Sequence, residues 1–175
     1  MHCFIIAALT ADGFIAKDAH QKSTRWTSKE DAVWFSQRSK QAGVIVMGRA
    51  TYETMGKALP ERVTVVYSRQ GDESKLVENQ HQLEKGQVYY TQAQPEELLK
   101  QLEKLGFNEV AVTGGASIYT LFVQAGVVER LYLTIEPLIF GAGVRLFNQS
   151  IDQKLKLVKI QNLSAQTLLL EYSLN

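Results

Sequence analysis

Hydrophobic residues in this chain fall into short continuous runs, and amphipathic stretches separate most of these runs. A short continuous apolar run is typical of a strand that is buried on both faces, as in a parallel sheet. Six such runs predict strands at residues 4–9, 44–47, 63–66, 88–90, 109–113 and 130–136. Helices are predicted between them, from residue 27, from residue 51, over 95–105 and over 116–124. The pattern therefore predicts an α/β protein.

The last part of the chain has a different pattern. Residues 155–160 and 167–174 alternate apolar with polar side chains, which is typical of antiparallel strands with one face toward the core. We expect them to form a hairpin at the edge of the sheet. The whole chain thus predicts a three-layer α/β fold with a mostly parallel central sheet and an antiparallel C-terminal hairpin. The polar stretch 10–25 is predicted as a long loop, and long ordered loops are more often binding or gating segments than spacers.

Composition and charge narrow the classes of function. With 175 residues and 45% hydrophobic content, the chain fits one domain spanning residues 1–175. Its net charge is +1 and its basic residues are scattered, which argues against a nucleic-acid partner. The run at 4–9 is too short to span a membrane, and a single cysteine, Cys3, excludes an intramolecular disulfide. The three histidines are dispersed, so no metal site is predicted. We expect a cytoplasmic protein with a small-molecule partner.

Asp31 is the most informative single residue, because the pattern places its carboxylate on the apolar side of a helix. Thr27 and Glu30 have the spacing of a capping box, which predicts that the helix begins there. Residues three and four apart share a helix face, so Asp31 should point into the protein with Trp34 and Phe35. A buried carboxylate without a partner is costly or has a raised pKa, and such groups concentrate in functional clefts. The alternative is that Asp31 only complements the helix N-terminus.

Three junctions at the ends of predicted strands have residues that favour the binding of an anion. Gly114 and Gly115 stand between a strand and a helix, where free backbone N–H groups can face a phosphate. The other two junctions supply Gly48, Arg49 and Thr51 and, after the next strand, Ser68 and Arg69. Each junction alone also fits a simple tight turn. Together, at the carboxyl ends of strands, they match the place where an open α/β sheet holds a dinucleotide.

Further motifs follow one order and spacing along the chain. They are Ala7-Ala8, Trp26 before Glu30-Asp31, Trp34-Phe35, Met47-Gly48-Arg49 with Thr51-Tyr52-Glu53, Leu59-Pro60 with Arg62, Gly114-Gly115 with Tyr119, and Leu131-Tyr132-Leu133-Thr134. As a set they are specific, and they resemble the dihydrofolate reductase family over most of the chain. The resemblance implies a dihydrofolate-reductase-like fold and hydride transfer from NADPH to the pterin ring of dihydrofolate.

The resemblance also implies roles for single residues. Asp31 would bind the amidine edge of the pterin, Thr134 would support that carboxylate, and Trp26 would position a water near the pterin oxygen. Arg62 would bind the carboxylate of the glutamate tail. The rest of the substrate site would comprise Ile6, Ala8, Phe35, Met55 and Leu59. The NADPH site would comprise Ala7, Ile15, Gly48, Arg49, Thr51, Ser68, Arg69, Gly114, Gly115, Ala116, Ser117, Ile118 and Tyr119.

Two segments depart from that family. The loop from His20 to Arg25 lacks the usual Met and the Pro before the Trp. The segment 136–147 resembles instead the reductase domain of riboflavin biosynthesis, a relative of the same fold that reduces a ribosylamino-pyrimidine phosphate. Such a substrate has no glutamate tail, so Asp31 together with Arg62 favours folate. The alternatives are the riboflavin-type reductase, a pterin- or nucleotide-binding protein without useful turnover and, for Arg62 itself, a solvated turn residue.

Overall fold

A computed structural model describes residues 1–18 and 21–174, so Ala19 and His20 of the predicted gating loop lie outside the described residues. The strands and helices are β1 (His2–Thr10), β2 (Phe14–Ala16), α1 (Lys29–Ala42), β3 (Val44–Gly48), α2 (Arg49–Met55), β4 (Val63–Tyr67), β5 (Val88–Thr91), α3 (Pro95–Lys104), β6 (Glu109–Val112), α4 (Ala116–Gln124), β7 (Arg130–Glu136), β8 (Val144–Arg145), β9 (Lys156–Asn162) and β10 (Leu168–Ser173). Short 3-10 turns lie at Ser23–Arg25, Glu73–Lys75 and Val77–Asn79.

The central sheet has the strand order β5-β4-β3-β6-β1-β7-β10-β9. Its strands from β5 to β7 are parallel, and β10 and β9 run antiparallel to their neighbours. The predicted α/β fold with an antiparallel C-terminal hairpin is therefore confirmed. The alternating pattern predicts that one face of each hairpin strand lies toward the core. The edge strand β9 instead is exposed along its whole length.

Helices cover both faces of the sheet, as the three-layer prediction requires. On one face, α1 and α2 contribute Trp34, Phe35, Tyr52 and Met55 to a cluster around Phe4, Ile6, Ile45 and Met47. On the other face, α3 and α4 bury Leu98, Leu99, Leu102, Ile118, Tyr119 and Phe122 against β1, β3 and β6. Continuous apolar runs in the inner strands thus reflect burial on both sides.

A second, smaller sheet was not predicted. In it β2 pairs with β8, which joins the loop after β1 to the segment after β7. Gly143 lies at this contact, where an added Cβ would come within 2.3 Å of the Ala16 carbonyl oxygen. Strands of three and two residues are too short to show a hydrophobic period. Asp12 strengthens the same connection by accepting hydrogen bonds from the backbone N–H groups of Phe140 (3.1 Å) and Gly141 (2.7 Å).

The predicted capping box of α1 is wrong by one residue. The N-cap is Ser28 rather than Thr27, since the Ser28 hydroxyl accepts a hydrogen bond from the Asp31 backbone N–H at 3.1 Å. Ser28 is fixed in this role by a contact from β7, where Glu136 accepts hydrogen bonds from the same residue. A contact between residues 108 positions apart in the chain cannot be read from local spacing.

Candidate active site

Most of the predicted site residues lie at one edge of the sheet, whereas Arg62 directly precedes β4 at the opposite, amino edge. Because β1, β3, β4, β6 and β7 are parallel, their carboxyl ends meet at the first of these edges. The helices α1, α2 and α4 begin beside it, at Lys29, Arg49 and Ala116. The strand ends and helix starts thus place the substrate residues of one face near the predicted cofactor residues of the other.

Asp31 is buried at this edge, with 7% of its surface exposed. Burial raises the pKa of Asp31, and the negative charge of Glu136 adds to the increase, while the hydroxyls of Thr134 and Thr27 oppose it. The Thr134 hydroxyl faces Asp31 without the full geometry of a hydrogen bond, and its buried oxygen has no partner among the described residues. The structure therefore brings Asp31 and Thr134 together, and Asp31 takes up a proton more readily than a solvated carboxylate.

Trp26 contributes a second buried polar atom without a partner. Its ring packs edge-on against Phe140 with the centroids 5.3 Å apart. Its indole Nε1 is buried and donates to no group in the described part of the chain. Buried donors and acceptors are rarely left unpaired in folded proteins, so a water or ligand is the natural partner of the Trp26 and Thr134 atoms.

Apolar side chains stand beside Asp31 on the face covered by α1 and α2. Phe35, Met55 and Leu59 are partly buried and pack against the cluster that contains Ile6. Ala8 lies in β1 opposite Thr134 of β7, and it is partly exposed. The structure thus groups the predicted substrate residues Ile6, Phe35, Met55 and Leu59 into one wall.

The glycine junctions of β3 and β6 are in direct contact. The Gly48 N–H donates to the Gly114 carbonyl oxygen at 2.8 Å, and the peptide bond between Gly114 and Gly115 is cis. An added Cβ at Gly48 would lie 3.1 Å from Ile118 Cγ1, and one at Gly115 would lie 3.1 Å from Thr51 Oγ1. Side chains at these positions would therefore push the starts of α2 and α4 apart.

The start of α4 offers free backbone donors to an anion. The helix has nine residues, Gly115 is its N-cap, and no side chain caps it. The first N–H groups of an α-helix have no partner within the helix, and the helix dipole favours a negative charge there. Ala116 and Ser117 form this first turn, and Ser117 is exposed. Tyr119 donates its hydroxyl to the Ile6 carbonyl at 2.8 Å, which ties α4 to β1.

The remaining cofactor predictions lie on both sides of this turn. Arg49 is exposed, and its guanidinium binds Glu53 at 2.6 Å and Gln70. The Gln70 N–H donates to the buried Ser68 hydroxyl at 3.1 Å, so Arg49 and Ser68 belong to one polar group. Arg69 is exposed beside them. Ala7 and Ile15 pack on the cluster of the opposite face, together with Ile118 and Tyr119.

Arg62 is buried, so its interpretation as a solvated turn residue is wrong. It is 3% exposed, and its guanidinium donates to the carbonyl oxygens of Pro60 (3.1 Å) and Ser36 (3.3 Å) and to the Ser39 hydroxyl. Burial lowers the pKa of Arg62. Within the described residues no carboxylate forms an ion pair with it, because Glu61 pairs with Lys40 instead. The hydrogen-bond partners of Arg62 are all neutral, and the negative charge of Glu61 opposes the effect of burial on its pKa.

Sequence reasoning missed Glu136, which lies at the end of β7 and contacts the N-cap of α1. A signal for it was present, because Thr134 and Glu136 are two residues apart on one strand and so share a face. The structure contains no cluster of three or more histidine, cysteine or acidic residues that could hold a metal, and no helix long and apolar enough to cross a membrane, within the residues that it describes.

Comparison with known proteins relates most of the chain to one family. The family model of the RibD C-terminal domain matches residues 2–169. The uncharacterized protein YyaP of Bacillus subtilis is 26% identical, with 96% of this chain and 92% of YyaP covered. The dihydrofolate reductase of Buchnera aphidicola is 28% identical, with 81% of this chain and 75% of that enzyme covered.

Solved structures agree with this relationship in fold. A pyrimidine reductase-like protein from Corynebacterium diphtheriae has a TM-score of 0.75 at 16% identity, with 99% of this chain and 92% of that chain covered. A diaminohydroxyphosphoribosylaminopyrimidine deaminase/5-amino-6-(5-phosphoribosylamino)uracil reductase from Thermotoga maritima has a TM-score of 0.77 at 18% identity, and the match covers 99% of this chain and 56% of that chain. On the family match over nearly its whole length, the chain belongs to the RibD C-terminal domain family, whose fold is that of dihydrofolate reductase.

Proposed function

We propose that this protein is an NADPH-dependent reductase of a phosphorylated ribosylamino-pyrimidine. The observation that carries the proposal is the buried Asp31 carboxylate, which lies with the unpartnered Thr134 hydroxyl at the carboxyl edge of a parallel sheet. A pyrimidine ring with amino and lactam groups presents N–H donors and carbonyl acceptors along one edge. Asp31 would accept from such donors, and the unpartnered Trp26 Nε1 would donate to a ring oxygen.

The family supports this substrate class over dihydrofolate. The matching family model is the RibD C-terminal domain, and the similar structure from Thermotoga maritima carries the name of a phosphoribosylaminouracil reductase. The family match therefore reverses the preference for folate that was drawn from the joint presence of Asp31 and Arg62 in the sequence. Both substrates carry an anionic group, so a buried Arg62 without a carboxylate partner is compatible with a phosphate as well as with a glutamate tail.

Dihydrofolate is the second candidate, and a specific observation favours it. Two curated dihydrofolate reductases are each 28% identical to the chain, one from Buchnera aphidicola and one from Haemophilus influenzae. The pterin ring has an amino and lactam edge like that of the pyrimidine, so Asp31, Thr134 and Trp26 would contact it in the same way.

The residues at the glycine junctions fit a nicotinamide dinucleotide phosphate. The uncapped start of α4 supplies backbone donors, and the exposed Arg49 and Arg69 with Ser68 supply cations and a hydroxyl for a further phosphate. NADPH held there would supply the hydride. Titration of the protein with NADPH and NADH tests this assignment without turnover. We expect NADPH to bind about tenfold or more tightly than NADH, and the Arg49→Ala variant to lose most of that preference.

The residues of the chain would orient the substrate and manage the proton. In a ribosylamino compound the reducible bond is the C=N bond that forms when the sugar ring opens, so the hydride goes to carbon and a proton to nitrogen. Asp31 would accept hydrogen bonds from the N–H donors of the ring, and burial raises its pKa, so it takes up a proton more readily than a solvated carboxylate. Ile6, Phe35, Met55 and Leu59 would exclude water from the reacting atoms.

Oxidation of NADPH by the purified protein tests the proposal. We expect turnover with 5-amino-6-(5-phosphoribosylamino)uracil and a loss of about a hundredfold or more in kcat/KM for the Asp31→Asn variant. Asp72→Asn is the matched control, because Asp72 is an exposed surface residue and should leave turnover unchanged. Turnover of dihydrofolate alone would establish the second candidate, and absence of turnover with both compounds would overturn the reductase assignment.

A further inference from the structure

Glu136 is a buried carboxylate whose side-chain hydrogen bonds, among the described residues, go to Ser28 and Thr167 rather than to predicted substrate residues. It is 2% exposed at the end of β7. Its Oε1 accepts hydrogen bonds from the Ser28 backbone N–H and hydroxyl, both at 2.8 Å, and its Oε2 accepts one from the Thr167 hydroxyl at 3.1 Å. No cation pairs with Glu136 among the described residues. A buried charge held by neutral donors alone is costly, which calls for a role.

Ser28 connects Glu136 to Asp31. The Ser28 hydroxyl donates its hydrogen to Glu136 and accepts a hydrogen bond from the Asp31 backbone N–H at 3.1 Å. Donation to Glu136 fixes the direction of the Ser28 hydroxyl hydrogen, so a lone pair of the same oxygen remains for the Asp31 backbone N–H. Since the Ser28 backbone N–H also binds Glu136, one carboxylate fixes both the main chain and the side chain of the N-cap of α1.

Glu136 also acts on Asp31 through its charge. Burial is the largest cause of the raised pKa of Asp31, and the negative charge of Glu136 raises it further. Tyr119 on α4 also interacts electrostatically with Asp31. Burial raises the pKa of Tyr119, which stays neutral and donates to the Ile6 carbonyl. The uncharged hydroxyls of Thr27 and Thr134 face Asp31, and that of Thr167 binds Glu136.

We propose that Glu136 is a positioning residue that acts on the reaction through Asp31, by fixing the first turn of α1 through Ser28 and by placing a second negative charge beside the Asp31 carboxylate. The effect on turnover rests on the proposed function, because Asp31 must be the group that meets the substrate. The coupling between the two carboxylates does not rest on it.

The Glu136→Gln variant tests the charge. Glutamine has the same size and keeps a carbonyl oxygen for Ser28, but it carries no charge. We expect the pKa of Asp31 to fall, observed by carbon-13 NMR titration of its carboxyl group in the protein without substrate. The limb of the pH profile of kcat/KM that reports Asp31 should move to lower pH in parallel. Glu129→Gln is the matched control, because Glu129 precedes the opposite end of β7 and pairs with His2.

The Ser28→Ala variant tests the positioning separately. It removes the hydroxyl that joins the Glu136 carboxylate to the Asp31 backbone N–H, and it leaves the charge of Glu136 in place. We expect kcat to fall by about tenfold to a hundredfold while the pKa of Asp31 stays above its ordinary value. A thermal melt of each variant establishes that the fold is retained. Wild-type kcat in Ser28→Ala would overturn the positioning role.

The NMR titration separates failure of this proposal from failure of the proposed function. An Asp31 pKa that is the same in Glu136→Gln, Glu129→Gln and the wild type would overturn the coupling, whatever the protein reduces. A lowered Asp31 pKa in Glu136→Gln alone would support the coupling, even if neither the ribosylamino-pyrimidine nor dihydrofolate is turned over. In that case the proposed function fails and only the coupling between the two carboxylates stands.

Discussion

Replacing Asp31 by Asn should stabilise the fold and abolish most activity. Burial raises the pKa of Asp31, so the folded state disfavours its charged form. The resulting loss of stability is therefore absent below the ordinary carboxyl value of about 4, grows as the pH rises above that value, and is complete above the folded-state pKa. Asparagine has nearly the same shape and no charge, so it removes the cost at neutral and alkaline pH only.

The size of the gain follows from how Asp31 is held. Asp31 is 7% exposed, and its side chain forms no ion pair among the described residues. Only weakly aligned hydroxyls oppose the effect of burial on its pKa. Relief of an uncompensated buried charge is worth about 1–2 kcal/mol here. For a domain of this length that corresponds to a rise in Tm of about 2–8 °C.

Thermal melts at a series of pH values measure this gain. The Tm of Asp31→Asn should exceed that of the wild type at about pH 8, and the two Tm values should converge at about pH 4. Asp12→Asn is the control of opposite sign, because hydrogen bonds from Thr10, Phe140 and Gly141 lower the pKa of Asp12. It should lower Tm at neutral pH, with the loss disappearing as the pH falls. A Tm of Asp31→Asn at or below that of the wild type at about pH 8 would show that the ionised Asp31 carboxylate does not destabilise the folded state.

Three further substitutions test the surroundings of the site. Gly48→Ala places a Cβ 3.1 Å from Ile118 Cγ1, so we expect NADPH affinity in a fluorescence titration to fall about tenfold, and an unchanged Kd would argue against cofactor binding at this junction. Gly143→Ala places a Cβ 2.3 Å from the Ala16 carbonyl at a φ of +150°, so Tm should drop by several degrees, and an unchanged Tm would contradict the β2–β8 contact. In Arg62→Lys, the single ammonium group cannot reproduce the guanidinium hydrogen bonds to two backbone carbonyls. We expect urea unfolding to show a free energy of unfolding lower by about 1–3 kcal/mol. Wild-type stability would contradict a structural role for these hydrogen bonds.

The fold could be predicted from the sequence because its inner strands are buried on both faces and therefore appear as continuous apolar runs. The pairing of β2 with β8 could not, since strands of three and two residues have no measurable period. The N-cap of α1 was misplaced for a different reason. Both Thr27 and Ser28 are good caps by local preference, and the choice between them depends on Glu136 from β7.

The candidate site was predictable where a residue breaks the pattern of its own element. Asp31 stands out as an acid on the apolar side of a helix, and the structure buries it. Arg62 had no such signal, because a turn after Leu59-Pro60 fits a solvated cation as well as a buried one. Its burial is produced by Ser36 and Ser39 of α1, which lie more than twenty residues away in the chain.

The central claim is that Asp31 binds the ring of a ribosylamino-pyrimidine phosphate for reduction by NADPH. The most direct test is the rate of NADPH oxidation with that compound and with dihydrofolate, measured in parallel for the wild type and for Asp31→Asn. We predict turnover of the ribosylamino-pyrimidine phosphate that falls about a hundredfold or more in the variant. Equal turnover by the wild type and Asp31→Asn, or oxidation of NADPH with dihydrofolate alone, would contradict the claim.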